Sequence, residues 1–405
     1  MAASAGSSAA AADAPRRLHP RPDWQATVEE QGLLYAVTPG DNGQLYAYWD
    51  ESAYYEFSLP EVERLEDTVA ELHEMCLDTV AWVIAERRYA DYAIANPRVV
   101  ELIERSWHRR AEEISLYGRF DLRYDGDGPA RMLEYNADTP TSLLEAAGPQ
   151  WFWLEERHPG KDQWNSLHER LVEAWRKHAA NLPSGPVHVT CTSADEVGED
   201  FMTATYLQEC AEQAGLHTAC LPIEEIGWDP AGRFVDEHDR EIRTIFKLYP
   251  WEWLVSDSFG GHLLDLALAG RGPRWIEPAW KMLLSNKALL ALLWERYPGH
   301  PNLLASYLDG PRELAALGYV EKPLLGREGA GVKIVTPGFS VAGKPVFPYA
   351  GPQCYQAFHA LPEFDGNRTV LGAWVVDDEP AGLGIRETAG LITDTNARFI
   401  PHLIT

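Results

Sequence analysis

Cysteine is sparse in this chain: five in 405 residues, at Cys76, Cys191, Cys210, Cys220 and Cys354. No Cys-x-x-Cys pair occurs and the number is odd, so neither a disulfide framework nor a cysteine-based zinc site is indicated. Reduced thiols are the default for such a chain, and they point to a cytoplasmic protein. Long apolar runs are missing too; none approaches the ~20 residues needed to span a bilayer. The first 20 residues are rich in Ala and Ser and lack the continuous apolar stretch of a secretory signal, so 1–20 are expected to form a disordered leader. The thirteen histidines form no HxxxH or HExxH pair, and no Gly-x-Ser-x-Gly elbow occurs. A zinc enzyme and a covalent serine or cysteine hydrolase therefore have little support. Positive charge is in the minority, 35 Lys and Arg against 61 Asp and Glu, for a net charge of −26. A field of that sign repels phosphate, which disfavours nucleic acid and anionic membranes as partners and suits small molecules, a cationic one included.

Aromatics are plentiful: 15 Trp, 17 Tyr and 12 Phe within 45% hydrophobic residues. That composition belongs to a well-packed globular protein with room for two or three domains. From about Asp23 to Leu116 the pattern reads as mostly helical. Val62, Leu65, Val69, Leu72, Cys76 and Val80 recur at helical spacing within 58–86, and Ser58 with Pro60 and Glu61 makes a good helix start. Residues 97–114 read as a second amphipathic helix, and 139–157 as a third. After Pro183 the order becomes β-α-β: strands at 185–193, 216–226 and 240–250 and a helix at 201–215 predict a small open parallel sheet. Its first turn has no GxGxxG, which speaks against a dinucleotide site. Residues 280–297 read as one helix carrying Lys287, a position from which lysine usually snorkels to solvent.

The most informative stretch is 117–145, YGRFDLRYDGDGPARMLEYNADTPTSLLE. Two short alternating segments flank the turn-rich DGDGPA. Period-two alternation puts Arg119 and Asp121 on one face of the first strand, and Glu134 and Asn136 on one face of the second. A hairpin centred between Asp127 and Gly128 sets Asp121 opposite Glu134 and Arg119 opposite Asn136. Two carboxylates and an amide oxygen are ligands that a hard divalent cation such as Mg²⁺ accepts, and the guanidinium is free for a phosphate or carboxylate oxygen. An exposed hairpin face with scattered charges is the alternative reading. Further on, Lys322 leads into a loop with Gly326, Gly329 and Gly331, a plausible phosphate cradle. Read alone, a glycine-rich turn with an exposed lysine explains it as well. The aromatic segments 48–57, 150–156 and 248–253 could wall a substrate pocket or simply pack the core.

FDLRYDGDGPARMLEYNADTPTSLLEA, EPAWKMLLSNKALLALLWERYP, EKPLLGREGAGVKIV and YQAFHALPEFDGN…LGIRE occur in that order. Together they resemble the synthetase domain of the glutathionylspermidine synthase family, most of all its shorter bacterial members, over nearly everything from Pro22 to the end. The resemblance implies an α+β fold, a circularly permuted ATP-grasp with an associated Rossmann-like domain. Permutation is implied because the acidic EYN segment precedes the two lysines. On this reading 21–180 carry a helical segment and the Mg-binding hairpin, 181–273 the Rossmann-like domain, and 274–405 the remaining grasp with its lysines and glycine-loop lid. By motif, Asp121, Glu134 and Asn136 match Mg²⁺ ligands, and Arg119 and Arg386 match arginines near the reacting phosphate. Lys287, Lys322, Gly326, Gly329, Gly331 and Gln356 match the ATP site. The implied activity is an ATP- and Mg²⁺-dependent ligase that joins a small carboxylate to an amine through an acyl phosphate. A nucleotide-binding sensor without activity, or a phosphotransferase that stops at the acyl phosphate, would keep the same fold. Neither the oligomeric state nor the identity of the acid and amine follows from these motifs.

Overall fold

A computed structural model describes residues 15–40, 43–195, 197–345 and 351–405. Helix α1 runs Leu59–Ala85. The Glu61 carboxylate accepts both the Ser58 backbone N–H at 2.9 Å and its hydroxyl at 2.7 Å, a capping box that satisfies donors left open at the helix start. The helix buries the stripe read from the sequence, Val62, Leu65, Val69, Leu72, Cys76 and Val80. The segment before it is not mostly helical. Short strands occupy Val37–Pro39, Leu45–Ala47 and Ala53–Phe57. Part of the stretch expected as a disordered leader, 1–20, is ordered. Residues 1–14 lie outside the described residues, but Arg16–Arg17 pairs antiparallel with Tyr54 and Ala53. His402–Ile404 lines the other side of that strand in parallel, so both of its edges are covered.

The helix expected over 97–114 ends at His108. Then come β1, Tyr117–Arg123, and β2, Arg131–Asn136, in the predicted register: Asp121 opposite Glu134 and Arg119 opposite Asn136. The register shifts after Asp121, so that Leu122 faces Met132. The region 139–157 forms two helices, Leu143–Ala147 and Pro149–Arg157, split at Gly148 where proline opens the second.

Four parallel strands follow: β3 Val187–Cys191, β4 Thr218–Cys220, β5 Thr244–Leu248 and β6 Arg274–Ile276. They stand in the order β6-β5-β3-β4, with Glu199–Gln213 as the helix between β3 and β4. The helix expected over 280–297 is interrupted. Asn286 takes an extended conformation and its side-chain oxygen accepts the Ala288 N–H at 2.9 Å, capping a new helix α2, Ala288–Arg296. A short polar side chain thereby diverts the backbone from a continuous helix.

Strands β7, Tyr319–Pro323, and β8, Gln353–Ala357, pair antiparallel at the centre of a five-stranded sheet. Last come β9, Asn367–Val376, and β10, Glu379–Thr388; β10-β9-β1-β2 run side by side. The fold is thus mixed α+β: its three larger sheets are one parallel and two antiparallel, with two apolar clusters between them. One gathers around α1, the other around Trp49, Trp153, Trp175 and Trp374, and each draws residues from β1 and from the parallel sheet. All five cysteines are free, and among the described residues no helix is long and apolar enough to cross a membrane. Replacing the capping serine, Ser58→Ala, is expected to lower stability by about 1 kcal/mol. Urea unfolding followed by circular dichroism measures it, and an unchanged midpoint would show that the cap contributes nothing.

Candidate active site

A cleft of about 330 Å³ opens between the β1–β2 hairpin, the α2 start and the β7–β8 sheet. Asp121 and Glu134 stand on neighbouring strands. Asp121 is buried and clamped from two sides: Arg119 Nε donates at 2.8 Å, and Arg386 of β10 donates to its other oxygen. Arg386 reaches it across β9, where the residue paired with Asp121 is Gly372. A Cβ at Gly372 would lie 3.0 Å from Arg119 Cδ, so the missing side chain leaves the guanidinium its path. Burial alone would raise the Asp121 carboxyl; the two arginines hold it below the ordinary carboxylate value.

Glu134 pairs with Lys287 at 3.0 Å. Burial would raise its carboxyl too, but Lys287, opposed by Asp121 and helped by Lys322, holds it low. Lys287 does not snorkel outward. It sits at the start of α2, is buried, and donates to the Gly326 carbonyl at 2.7 Å. Lys322 is likewise buried rather than exposed, with Leu133 O and Gln356 Oε1 each at 2.7 Å. Gln356 in turn donates to Met132 O at 3.2 Å, so both side chains stitch β7 and β8 to the edge of β2. Asn136 exchanges hydrogen bonds with the Thr139 backbone at 3.2 Å in both directions, which fixes the chain leaving β2.

Of the residues singled out from the sequence, Arg119, Asp121, Glu134, Asn136, Lys287, Lys322, Gly326, Gly329, Gln356 and Arg386 all line this one cleft. Gly331 is not among its lining residues; a Cβ there would meet Pro323 Cγ at 2.8 Å, so its place is in the turn's packing. Gly329 has φ +70° and lies against the Thr393 carbonyl, where a Cβ would come within 2.7 Å. The glycine loop is thereby packed on the 391–393 segment, which also lines the cleft.

Sequence reasoning missed Arg327 and Asp200, while Glu252 and Trp253 fall in the aromatic segment 248–253 that it left open as pocket wall or core. Arg327 donates to Thr139 Oγ1 and to Glu252 at 2.7 Å each, and its guanidinium lies 5.4 Å over Trp253. The aromatic segment 248–253 does contribute to the wall, through Leu248, Pro250 and Trp253. Burial, then Glu199, Asp195 and Glu328 nearby, push the Asp200 carboxyl up to about 7. An acid-rich helix start at 199–200 was the only signal available for it.

Among the described residues no three His, Cys, Asp or Glu side chains gather as a metal cage. Two carboxylates directly opposite each other beside an amide oxygen are donors of the type that a magnesium ion shared with a ligand's phosphates accepts, and such an ion would have to displace or share the contacts they make to Arg119, Arg386, Lys287 and the Thr139 N–H.

Known proteins agree with this architecture. The chain belongs to the glutathionylspermidine synthase preATP-grasp family, whose family model matches residues 16–405. A Haemophilus influenzae protein named "Putative acid--amine ligase" is 42% identical over 399 residues, covering 94% of this chain and 97% of that one. The bifunctional glutathionylspermidine synthetase/amidase of Escherichia coli is 28% identical over 402 residues, which is 93% of this chain but 63% of that protein. Among solved structures, a glutathione synthetase-like effector from Globodera pallida superposes with a TM-score of 0.56 at 10% identity, over 96% of this chain and 100% of that one, a likeness of fold.

Burial pushes the Lys322 ammonium down to about 8; Glu134 opposes the shift and Lys287 adds to it. The unfolded chain holds that proton to about pH 10.4, so between these values the folded form binds fewer protons and its stability rises with pH. The stability difference between wild type and Lys322→Met is therefore expected to move in favour of wild type by about 1–2 kcal/mol from pH 7.5 to 9.5. Denaturant unfolding at the two pH values tests this, and a pH-independent difference would mean that Lys322 titrates normally.

Proposed function

We propose that this protein is an ATP- and Mg²⁺-dependent carboxylate–amine ligase that works through an acyl phosphate, on a circularly permuted ATP-grasp with a Rossmann-like domain over about 181–273. The observation that carries the reading is the Asp121–Glu134 pair ringed by Arg119, Arg386, Lys287 and Lys322 in a single cleft. The 42% identity to a protein named as an acid–amine ligase supports it. So does chain order, with the carboxylate hairpin ahead of both lysines. The five free thiols are in keeping with a cytoplasmic setting.

In the first step a carboxylate oxygen of the substrate attacks the γ-phosphorus of ATP, and the bond to the β–γ bridging oxygen breaks to release ADP. In the second, an amine nitrogen attacks the acyl carbon, phosphate leaves, and the nitrogen gives up a proton. Lys287 and Lys322 bind the nucleotide phosphates as point charges, with Gln356 holding Lys322 in place. Arg119 and Arg386 stand where charge builds on the transferring oxygens, and Asp121 orients both guanidinium groups. Asp121, Glu134 and Asn136 would hold Mg²⁺, which when bound would supply charge neutralisation for the transferring phosphate. The loop over 326–331 covers the cleft against water, because an acyl phosphate hydrolyses readily. Asp200 and Glu328 give the loop end of the cleft an acidic wall that draws in an ammonium group.

The test is phosphate release with Mg-ATP against a matrix of small carboxylates and amines. Release that requires both an acid and an amine is expected, and failure of the protein to bind ATP would overturn the reading. Glu134→Gln is expected to cut turnover by ~10²–10³; full turnover would remove Glu134 from the site. Mg-ATP is also expected to protect the 326–331 loop from proteolysis, and unchanged cleavage speaks against a covering loop.

A further inference from the structure

Both ends of the β1–β2 hairpin are tied to the parallel sheet by buried ion pairs. At the entry, Glu277, just past β6, accepts the Leu116 N–H at 3.0 Å and the Tyr117 N–H at 3.1 Å. Lys281 pairs with Glu277 and donates to the Tyr117 carbonyl at 2.8 Å. At the exit, Lys247 in the middle of β5 pairs with Asp138, whose other oxygen accepts the Trp251 N–H at 2.9 Å. Trp251 joins the two: its indole N–H donates to the Glu277 carbonyl at 2.9 Å, and its ring lies 4.9 Å from the Lys247 ammonium. Lys247 and Glu277 are 0% exposed, Asp138 and Lys281 1%, so water can replace none of these partners.

Stability does not explain such pairs, because an apolar pair of similar volume is often at least as stable as a buried ion pair. Charge-assisted hydrogen bonds differ from apolar contacts in fixing direction as well as distance. The exit tie bears on the site at once. Asp138 lies inside the turn that Asn136 closes on Thr139, Thr139 Oγ1 is held by Arg327, and the Thr141 carbonyl accepts Arg119. A displacement at Asp138 therefore reaches Asn136, Arg119 and the glycine loop together.

We propose that Lys247–Asp138 and Glu277–Lys281, joined through Trp251, are positioning residues: they lock the hairpin's two ends to the parallel sheet so that Asp121, Glu134 and Arg119 meet the lysines across the cleft in reacting geometry. The inference rests on the ligase reading for the reaction it serves, and on the hydrogen bonds alone for the lock.

The experiment compares wild type, Lys247→Met and Lys247→Met with Asp138→Asn. The single variant strands a buried carboxylate and is expected to lower the melting temperature. The double variant removes both charges yet keeps an acceptor for the Trp251 N–H, and should recover most of that loss. In the double variant the amides of 137–142 are expected to exchange about tenfold faster, with those of 59–85 unchanged. Turnover at saturating ATP should fall ~10²-fold while KM for ATP stays within about threefold, since Lys287 and Lys322 lie on other elements. A double variant with recovered melting temperature, wild-type exchange and wild-type turnover would overturn the proposal. Trp251→Phe, which keeps an aromatic but smaller ring and loses the indole N–H, guards against a double variant that does not fold. It should speed exchange at both 116–118 and 137–142, and unchanged exchange at both ends overturns the proposal as well. If wild type turns over no acid–amine pair, the ligase reading fails, and the exchange data still decide the lock.

Discussion

Charge balance among side chains buried around one cleft is the constraint on which the rest depends. Around Asp121 and Glu134 stand four cations, Arg119, Arg386, Lys287 and Lys322, inside a protein whose net charge is −26. Each is tolerated because a carboxylate or a carbonyl oxygen lies within hydrogen-bond distance. Toward the glycine loop the sign reverses, with Asp200, Glu252 and Glu328 against Arg327. The cleft therefore has a predominantly basic part around the hairpin and an acidic part toward the loop. A net negative charge does not by itself oppose an anion in such a cleft, because the local arrangement dominates at close range.

The site draws on two antiparallel sheets and the start of α2, and that decides how each group is held. The carboxylates come from a hairpin whose register is set by pairing with β9, and the lysines from α2 and β7, which meet β2 only through side chains and carbonyl oxygens. Lys322 to Leu133 O and Gln356 to Met132 O act as cross-ties between sheets that share no backbone ladder there. The antiparallel sheets and α2 thus carry the charged groups around Asp121 and Glu134, while the parallel sheet anchors both ends of the hairpin.

Much of this was legible in the sequence where the signal is local. The hairpin register followed from period two and a short turn, and Asp121 opposite Glu134 needed nothing more. Helix α1 announced itself through its stripe and capping box. The misses have equally physical causes. Asn286 looked like one polar residue in a helical run, and only its side-chain bond to the Ala288 N–H reveals a cap. Lys287 and Lys322 read as solvent-seeking because the carbonyls of Gly326 and Leu133, distant in sequence, supply the partners that let them stay buried. Motif resemblance placed both in the nucleotide site where spacing alone did not, and strand-forming segments before Ala53 were lost because each is only three residues long.

Gly372 is the negative image of an arginine. Its absent side chain marks the track of Arg119 toward Asp121, and at 3.0 Å a methyl group would stand in the way. The two positions are therefore coupled: a side chain at 372 obliges Arg119 to give way by a few tenths of an ångström, and its hold on Asp121 has to shift with it.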